Sequence, residues 1–346
     1  MLLATHADEA IRELIVDELR EVECRFAAEL ASDLNCVNQL VTHVERYRGK
    51  MLRPMLVLAT GLATSKPGAA AGGLTDDHRT VATVVEMVHM ATLVHDDILD
   101  EADIRRRGHT VNRLNGNETA VMLGDYLISH SYHLCSSILS RPGVPLVSRT
   151  IADATNTVCE GELLQLANRN NWLLDAGTYF EIIRRKTASL CGTCCRVAAQ
   201  LSGGDEQVVA HLYDYGENLG IAFQIVDDLL DLLGDQETVG KTLGRDLQKG
   251  KLTLPMIRFF ESADDATRNA MLSLLESIEI DQDDEIFDNI GRKICEMLTA
   301  GDAIEYSRRA AEGLVASAKT KLNDLSPSPS VQLLNTMADA VLTRNS

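Results

Sequence analysis

Aromatic residues are scarce in this sequence: Phe, Trp and Tyr make up 4% of 346 residues, with one Trp. Sheets favour aromatic and β-branched side chains, so a core drawn from the 45% hydrophobic residues, chiefly Leu, Ile, Val, Ala and Met, is expected to consist of packed helices. Positive charge is also in deficit, with 33 Lys and Arg against 51 Asp and Glu. The resulting net charge of -18 excludes attachment to nucleic acid through a broad basic surface. A polyanionic ligand would need metal ions or a focused basic cluster. Long apolar runs are missing too: none reaches the ~18 to 20 residues of a spanning helix, and the first residues show no basic stretch followed by an apolar one. A soluble or at most peripheral protein is expected.

There is no secreted disulfide framework either. The eight cysteines are scattered through apolar stretches at no framework spacing, which points to reduced thiols and a cytoplasmic location. Cys191-Gly-Thr-Cys194-Cys195 contains a C-x-x-C element, but no second pair stands at zinc-site spacing, so these residues read as small packing residues.

What is present is helical periodicity, from residues 7–29 onward to the C-terminus. It is broken by Gly, Pro, Ser and Asp clusters at 65–73, 141–145, 202–205, 234–251 and 326–330. These breaks punctuate rather than link, so a single all-α domain over 1–346 is expected, without a sheet. Residues 80–100, 120–139, 151–167, 179–201 and 213–233 are each long enough for several helical turns. Thr75-Asp-Asp-His78 reads as a helix start and Gly234 as a stop.

Two aspartate motifs, Asp96-Asp97-Ile-Leu-Asp100 and Asp227-Asp228-Leu-Leu-Asp231, therefore fall near the C-terminal ends of long, mostly apolar helices. Carboxylates in such surroundings are costly unless a cation compensates. Their first and fifth aspartates are four residues apart, on one helix face and ~6 Å from each other, close enough to share one cation. Mg²⁺ takes one or two carboxylates and fills its octahedron with water and phosphate oxygens, so paired motifs point to a diphosphate held by metal ions. A single motif of this kind would more often be a solvated helix end; two in apolar surroundings favour metal. His89 lies seven residues before Asp96, two turns away on the same face, whereas Lys50 or Arg53 alone would read as surface charges.

The chain resembles the trans-polyprenyl diphosphate synthases over roughly residues 40 to 340. The resemblance rests on Gly49-Lys50-Met51-Leu-Arg53-Pro54, His89 to Asp97, Arg105-Arg106, Gly161-Glu162, Lys186-Thr187, Phe223-Gln224, Gly240-Lys241-Thr-Leu-Gly244-Arg245-Asp246 and Gly250-Lys251-Leu-Thr-Leu-Pro255. It implies a bundle of antiparallel helices around a deep central cavity (the isoprenoid synthase fold) and a homodimer. It also implies about three Mg²⁺ ions per active site, more than one carboxylate pair holds. By this resemblance Lys50, Arg53, His89 and Arg106 hold the diphosphate of isopentenyl diphosphate, and Asp96, Asp97, Asp100 and Arg105 face the allylic diphosphate through Mg²⁺. Asp227, Asp228 and Asp231 bind further Mg²⁺, Lys186, Lys241 and Lys251 neutralise the leaving group, and Thr187 and Gln224 lie near the carbocation. A peripheral membrane contact for product release is expected as well.

Two positions depart from the family pattern: Met51 stands where Arg is common, and Arg107 where Gly is usual. His95 reads as structural, and Gly161-Glu162 as a packing and polar-network pair that invites close approach of a neighbour. Ala91 and Thr92, just before the first motif, replace the aromatics of short-chain enzymes. The growing chain is then expected to continue along a helix wall on the order of 30 Å, and the resemblance implies about six to ten isoprene units. The competing readings are a geranylgeranyl or farnesyl diphosphate synthase with a plug at Met87, Tyr126 or Tyr132, a terpene cyclase, and a non-catalytic partner subunit. A ferritin-type di-metal bundle needs Glu and Glu-x-x-His pairs facing inward, and none stands at suitable places.

Overall fold

The computed structural model describes residues 9–65, 73–105, 108–139, 146–233, 245–277 and 284–344, without the side chains of 245 and 284–288. In chain order the elements are α1 (Glu9–Glu29), α2 (Asn35–Glu45), α3 (Leu52–Thr64), α4 (Asp76–Leu99), β1 (Ile104–Arg105), β2 (Gly108–His109), α5 (Val111–Asn115) and α6 (Asn117–Cys135). Then come α7 (Val147–Ala167), α8 (Ala176–Ile183), a π-helical turn (Arg184–Ala188), α9 (Ser189–Leu201) and α10 (Glu206–Leu233). They end with α11 (Arg245–Gln248), α12 (Leu254–Ser262), α13 (Asp265–Glu276), α14 (Asp284–Ala300), α15 (Ala303–Thr320) and α16 (Pro329–Leu342). The all-α expectation holds, apart from the β1–β2 hairpin, whose two residues a side are too few for a strand alternation to be read. No described helix is long and apolar enough to cross a membrane.

Tertiary contacts divide the chain into two compact units. One comprises Met1–Asn156, Leu190–Glu217 and Lys319–Met337; the other comprises Thr157–Ser189, Asn218–Ala318 and Ala338–Ser346.

In the first unit α4 is the hub and packs against α1, α3 and α6. Its start matches the sequence: the Thr75 backbone N–H reaches the His78 ring 3.2 Å away, closing a capping box, and Asp76 and Asp77 sit in the first turn where the helix dipole favours negative charge. Two ion pairs pin α1 to that start. Arg79 donates to both oxygens of Glu18 at 2.6 and 2.7 Å, and Arg25 donates to Asp76 and to Thr80. Beyond the first turn α4 is apolar nearly all round. Met87, Met90, Ala91 and Val94 join Phe26, Leu30, Val44, Leu123 and Leu127 in one core cluster, where each large side chain contributes about 1.5 to 3 kcal/mol on burial. The motif aspartates thus sit at the end of a helix that this packing holds fixed.

In the second unit α8 packs on α12, and α12 and α13 pack on α14. Gly250, at φ 67, turns the chain so that its carbonyl accepts from the Asn170 backbone N–H at 2.8 Å; a Cβ there would collide with the Asn170 side chain. That turn delivers Lys251. Thr253 caps α12, with Pro255 in its first turn, where a missing N–H is harmless. Near the end of α10, the Cys295 thiol donates to the Leu232 carbonyl at 3.0 Å.

Candidate active site

The first motif closes α4. Asp96 and Asp97 occupy the last helical turn, and Asp100 is the C-cap, its N–H bonded to the Asp96 carbonyl at 2.8 Å. The motif thus lies at the C-terminal end of its helix, as expected, and beyond Asp100 the chain runs into the β1–β2 hairpin. That hairpin is tied back by Thr110, whose hydroxyl donates to the Ala102 carbonyl at 2.6 Å and whose N–H donates to the Asp103 carbonyl. It aims Arg105 at the motif, where Nε donates to Asp97 Oδ1 at 2.8 Å. Asp97 is 1% exposed while Asp96 and Asp100 are half-buried, so the three carboxylates are not equivalent.

Burial pushes the Asp97 carboxyl up from its usual range, against the Arg105 guanidinium and the nearby Tyr47 hydroxyl. Tyr47 is itself pushed up to about 12 by burial and by the Asp97 charge, and its oxygen accepts the Val111 backbone N–H at 2.9 Å. The sequence reading missed Tyr47; no spacing links it to a motif 50 residues on.

The other predicted residues of this unit are placed as follows. Lys50 is exposed, and Arg53 and His89 are half-buried. Met51 turns the backbone into the left-handed region at φ 49 and caps α3, so the side chain that departs from the family pattern is buried while Arg53 enters the helix's first turn. Arg53 Nε is buried without a hydrogen-bond partner. Cys191, Cys194 and Cys195 are buried free thiols raised by desolvation, which fits packing rather than metal or redox chemistry. His95 bonds the Val121 carbonyl at 3.3 Å and lies over Gly124, where a Cβ would strike its ring. Arg106 and Arg107 lie outside the described residues, as do Lys241 and the Gly234 stop.

The second motif lies near the end of α10, and here too the middle carboxylate is the buried one. Asp228 is 4% exposed, Asp231 is half-buried and Asp227 is exposed. Neutral donors hold Asp228: the Tyr179 hydroxyl donates to Oδ2 at 2.6 Å and the Gln224 amide to Oδ1 at 2.8 Å. The Thr187 hydroxyl in turn donates to Gln224 Oε1 at 2.9 Å, so Thr187, Gln224 and Asp228, all three predicted, form one chain. Burial and the Asp246 charge push the Asp228 carboxyl far up, against those donors.

Asp231 accepts the Asp246 N–H at 3.2 Å, and Asp246 in turn accepts the N–H of Lys251, which is half-buried. Arg344, stacked 3.8 Å from the Phe223 ring, lies 3.7 Å from Asp227. Lys186 pairs with Glu162 from within the π turn. Gly161 makes this approach possible, since a Cβ there would collide with the Lys186 backbone. The expected close neighbour of Gly161 is thus the Lys186 segment, and π turns of this kind gather at functional sites.

Among the described residues no three His, Cys, Asp or Glu side chains converge to hold a metal ion unaided. The oxygen donors nevertheless fit a hard cation that completes its shell with water and phosphate oxygens. Asp97 Oδ2 in particular is buried without a hydrogen-bond partner, an acceptor left over once Arg105 has taken Oδ1.

Comparison with known proteins agrees with this arrangement. The octaprenyl diphosphate synthase of Escherichia coli (strain K12) is 31% identical over 337 residues, covering 97% of this chain and 99% of that one. The crystal structure of a decaprenyl diphosphate synthase from Rhodobacter capsulatus superposes with a TM-score of 0.84 at 32% identity, covering 98% and 99% of the two chains. A polyprenyl synthase from Caulobacter crescentus CB15, solved in complex with calcium and isoprenyl diphosphate, gives 0.86 at 27% identity over 99% of this chain and 100% of that one. The sequence model of the polyprenyl synthetase family matches residues 35–290, so this chain belongs to that family, as a prenyltransferase with the all-α isoprenoid synthase fold.

Proposed function

We propose that the protein is a trans-polyprenyl diphosphate synthase. It condenses isopentenyl diphosphate head to tail onto an allylic diphosphate such as farnesyl diphosphate, releasing diphosphate at each step and building a medium to long all-trans chain. The observation that carries this reading is that both aspartate motifs are complete and differentiated. Each buries its middle carboxylate and leaves the flanking ones nearer solvent, where a metal-bound diphosphate could meet them. A non-catalytic partner subunit would have no use for two intact motifs.

In this reading Asp96, Asp97 and Asp100, with Asp227, Asp228 and Asp231, hold Mg²⁺, which when bound supplies the positive charge that makes diphosphate a leaving group. The chain's own groups do the rest. Lys186, Lys241 and Lys251 bind the departing diphosphate, while Lys50, Arg53, His89 and Arg106 orient that of isopentenyl diphosphate and Arg105 that of the allylic substrate. Thr187 and Gln224 present oxygens to the cationic carbon, and the apolar walls keep water from it. The same reading carries a single domain over 1–346, a homodimer, a peripheral membrane contact for product release and a cytoplasmic location, the last supported by eight unpaired thiols.

Product length rests on Ala91. It is fully buried in the α4 cluster beside Leu123 and Leu127 of α6, with Met87 and Tyr126 in the same cluster and Tyr132 outside it. A plug closing a shorter product would be Met87, Tyr126 or Tyr132. The experiment is to incubate the purified chain alone with Mg²⁺ and farnesyl diphosphate, with and without isopentenyl diphosphate. Consumption of isopentenyl diphosphate with longer prenyl products supports the proposal. Turnover of farnesyl diphosphate alone would indicate a cyclase, and no turnover a partner subunit.

A further inference from the structure

We propose that Tyr179 is a positioning residue of the second aspartate motif, acting through Asp228; this rests on the synthase reading and adds a residue to it. Tyr179 is buried, and its hydroxyl donates to Asp228 Oδ2 at 2.6 Å while the Gln224 amide donates to Oδ1 at 2.8 Å. The carboxylate, which only accepts, keeps the amide NH2 turned toward it, and the Thr187 hydroxyl donates to the amide oxygen from the other side. Thr187, Gln224, Asp228 and Tyr179 therefore form one directed chain that fixes both carboxylate oxygens.

The helix is built to permit this. In an unbroken α-helix Tyr179 and Thr187, eight residues apart, would point about 80° away from each other. The π turn Arg184–Ala188 lies between them and winds less per residue, which brings Thr187 back toward the face that carries Tyr179. Both then meet α10, at Gln224 and Asp228, one helical turn apart.

The alternative is a tyrosine that only packs, and the first unit supplies an example. Tyr215 is equally buried, but its hydroxyl donates to the Leu334 backbone carbonyl at 2.7 Å, an ordinary neutral pairing. Tyr179 is bonded to a carboxylate whose donors are both neutral. Asp227 and Asp246 add negative charge beside it. Among the described residues no cation bonds to it, so this carboxylate stays aimed only while its donors hold it, and removing one leaves a buried acceptor unpaired and free to rotate.

The test uses Tyr179→Phe, which keeps the ring and removes the hydroxyl, with Tyr215→Phe as control. Melting temperature is recorded against Mg²⁺ concentration in the presence of inorganic diphosphate, and steady-state elongation is measured in parallel. For Tyr179→Phe the Mg²⁺ concentration at half-effect is expected to rise about ten- to hundredfold in both assays, with kcat lowered and the KM for isopentenyl diphosphate within about twofold. Tyr215→Phe is expected to lower the melting temperature without moving the Mg²⁺ dependence. Gln224→Met, which removes the other donor, shifts the Mg²⁺ dependence in the same direction as Tyr179→Phe. An unchanged Mg²⁺ dependence in Tyr179→Phe or in Gln224→Met overturns the proposal, as does an equal shift in Tyr215→Phe. Should the wild-type chain fail to elongate, the synthase reading falls, and the diphosphate melting curves still decide the role of Tyr179.

Discussion

The two aspartate motifs share one five-residue pattern, and in both the second aspartate is the buried one, yet they are held differently. Asp97 is gripped by a cation, Arg105, at 2.8 Å, whereas Asp228 is gripped by a phenol and an amide and has Asp246 as a further negative neighbour. Identical sequence patterns have thus produced one site whose charge is balanced within the chain and one that is only oriented by it. The second motif is then the more dependent on an added cation, since a buried carboxylate with no charge partner among the described residues is expensive.

The largest expected effect removes what both motifs share. Chelating divalent metal with EDTA lowers elongation by more than about a hundredfold, restored by Mg²⁺, because metal provides leaving-group stabilisation that lysines alone cannot match. Survival of more than a tenth of the rate would break the comparison at its base. Next, Lys186→Ala lowers kcat by about a hundredfold, since it removes a cation from the unit whose buried aspartate is bonded by neutral donors. Arg105→Ala, which exposes Asp97 to the same imbalance, is expected to fall less steeply in kcat and to need more Mg²⁺.

Stability sharpens the contrast, because the two middle aspartates should respond with opposite signs. In metal-free protein Asp97→Asn lowers stability by about 1 to 2 kcal/mol, as it strands the Arg105 guanidinium. Asp228→Asn raises stability by about 1 kcal/mol, as it removes a buried acid that no cation among the described residues bonds. Both variants lose activity. Chemical denaturation with EDTA present measures the two signs, and equal signs would mean that the motifs are electrostatically alike. The smallest effect on the contrast between the motifs is expected at Ala91, whose side chain carries no charge. Ala91→Phe overpacks the cluster by about 1 to 3 kcal/mol, partly relieved if the ring turns into space for the growing chain, and shortens the product while the first condensation continues.

The sequence made most of the helices legible, because their apolar residues repeat at helical spacing and their ends carry chemical punctuation, as Thr75 to His78 does for α4. The motif aspartates were legible for the same reason, being local. What escaped reading was whatever depends on contact between distant segments. Tyr179 meets Asp228 across 49 positions, and Tyr47 meets Val111 across 64, and neither leaves a periodic trace. The π turn was hidden because it changes winding without changing composition. Glu162 was read as part of a polar network, but its ion pair with Lys186 emerges only once Gly161 lets the two helices touch. The unequal burial within each motif was likewise unreadable, since Asp96 and Asp97 are neighbours in sequence and differ only in the face they present.

The central claim is that this chain elongates prenyl diphosphates past the short-chain limit, and the size of its product tests that most directly. Purified protein is incubated with Mg²⁺, farnesyl diphosphate and excess isopentenyl diphosphate, and the dephosphorylated products are sized by mass. The account predicts a distribution centred at about six to ten isoprene units, by analogy with the octaprenyl, heptaprenyl and decaprenyl diphosphate synthases that the chain resembles. Products that stop at C15 or C20, or no elongation at all, would contradict it.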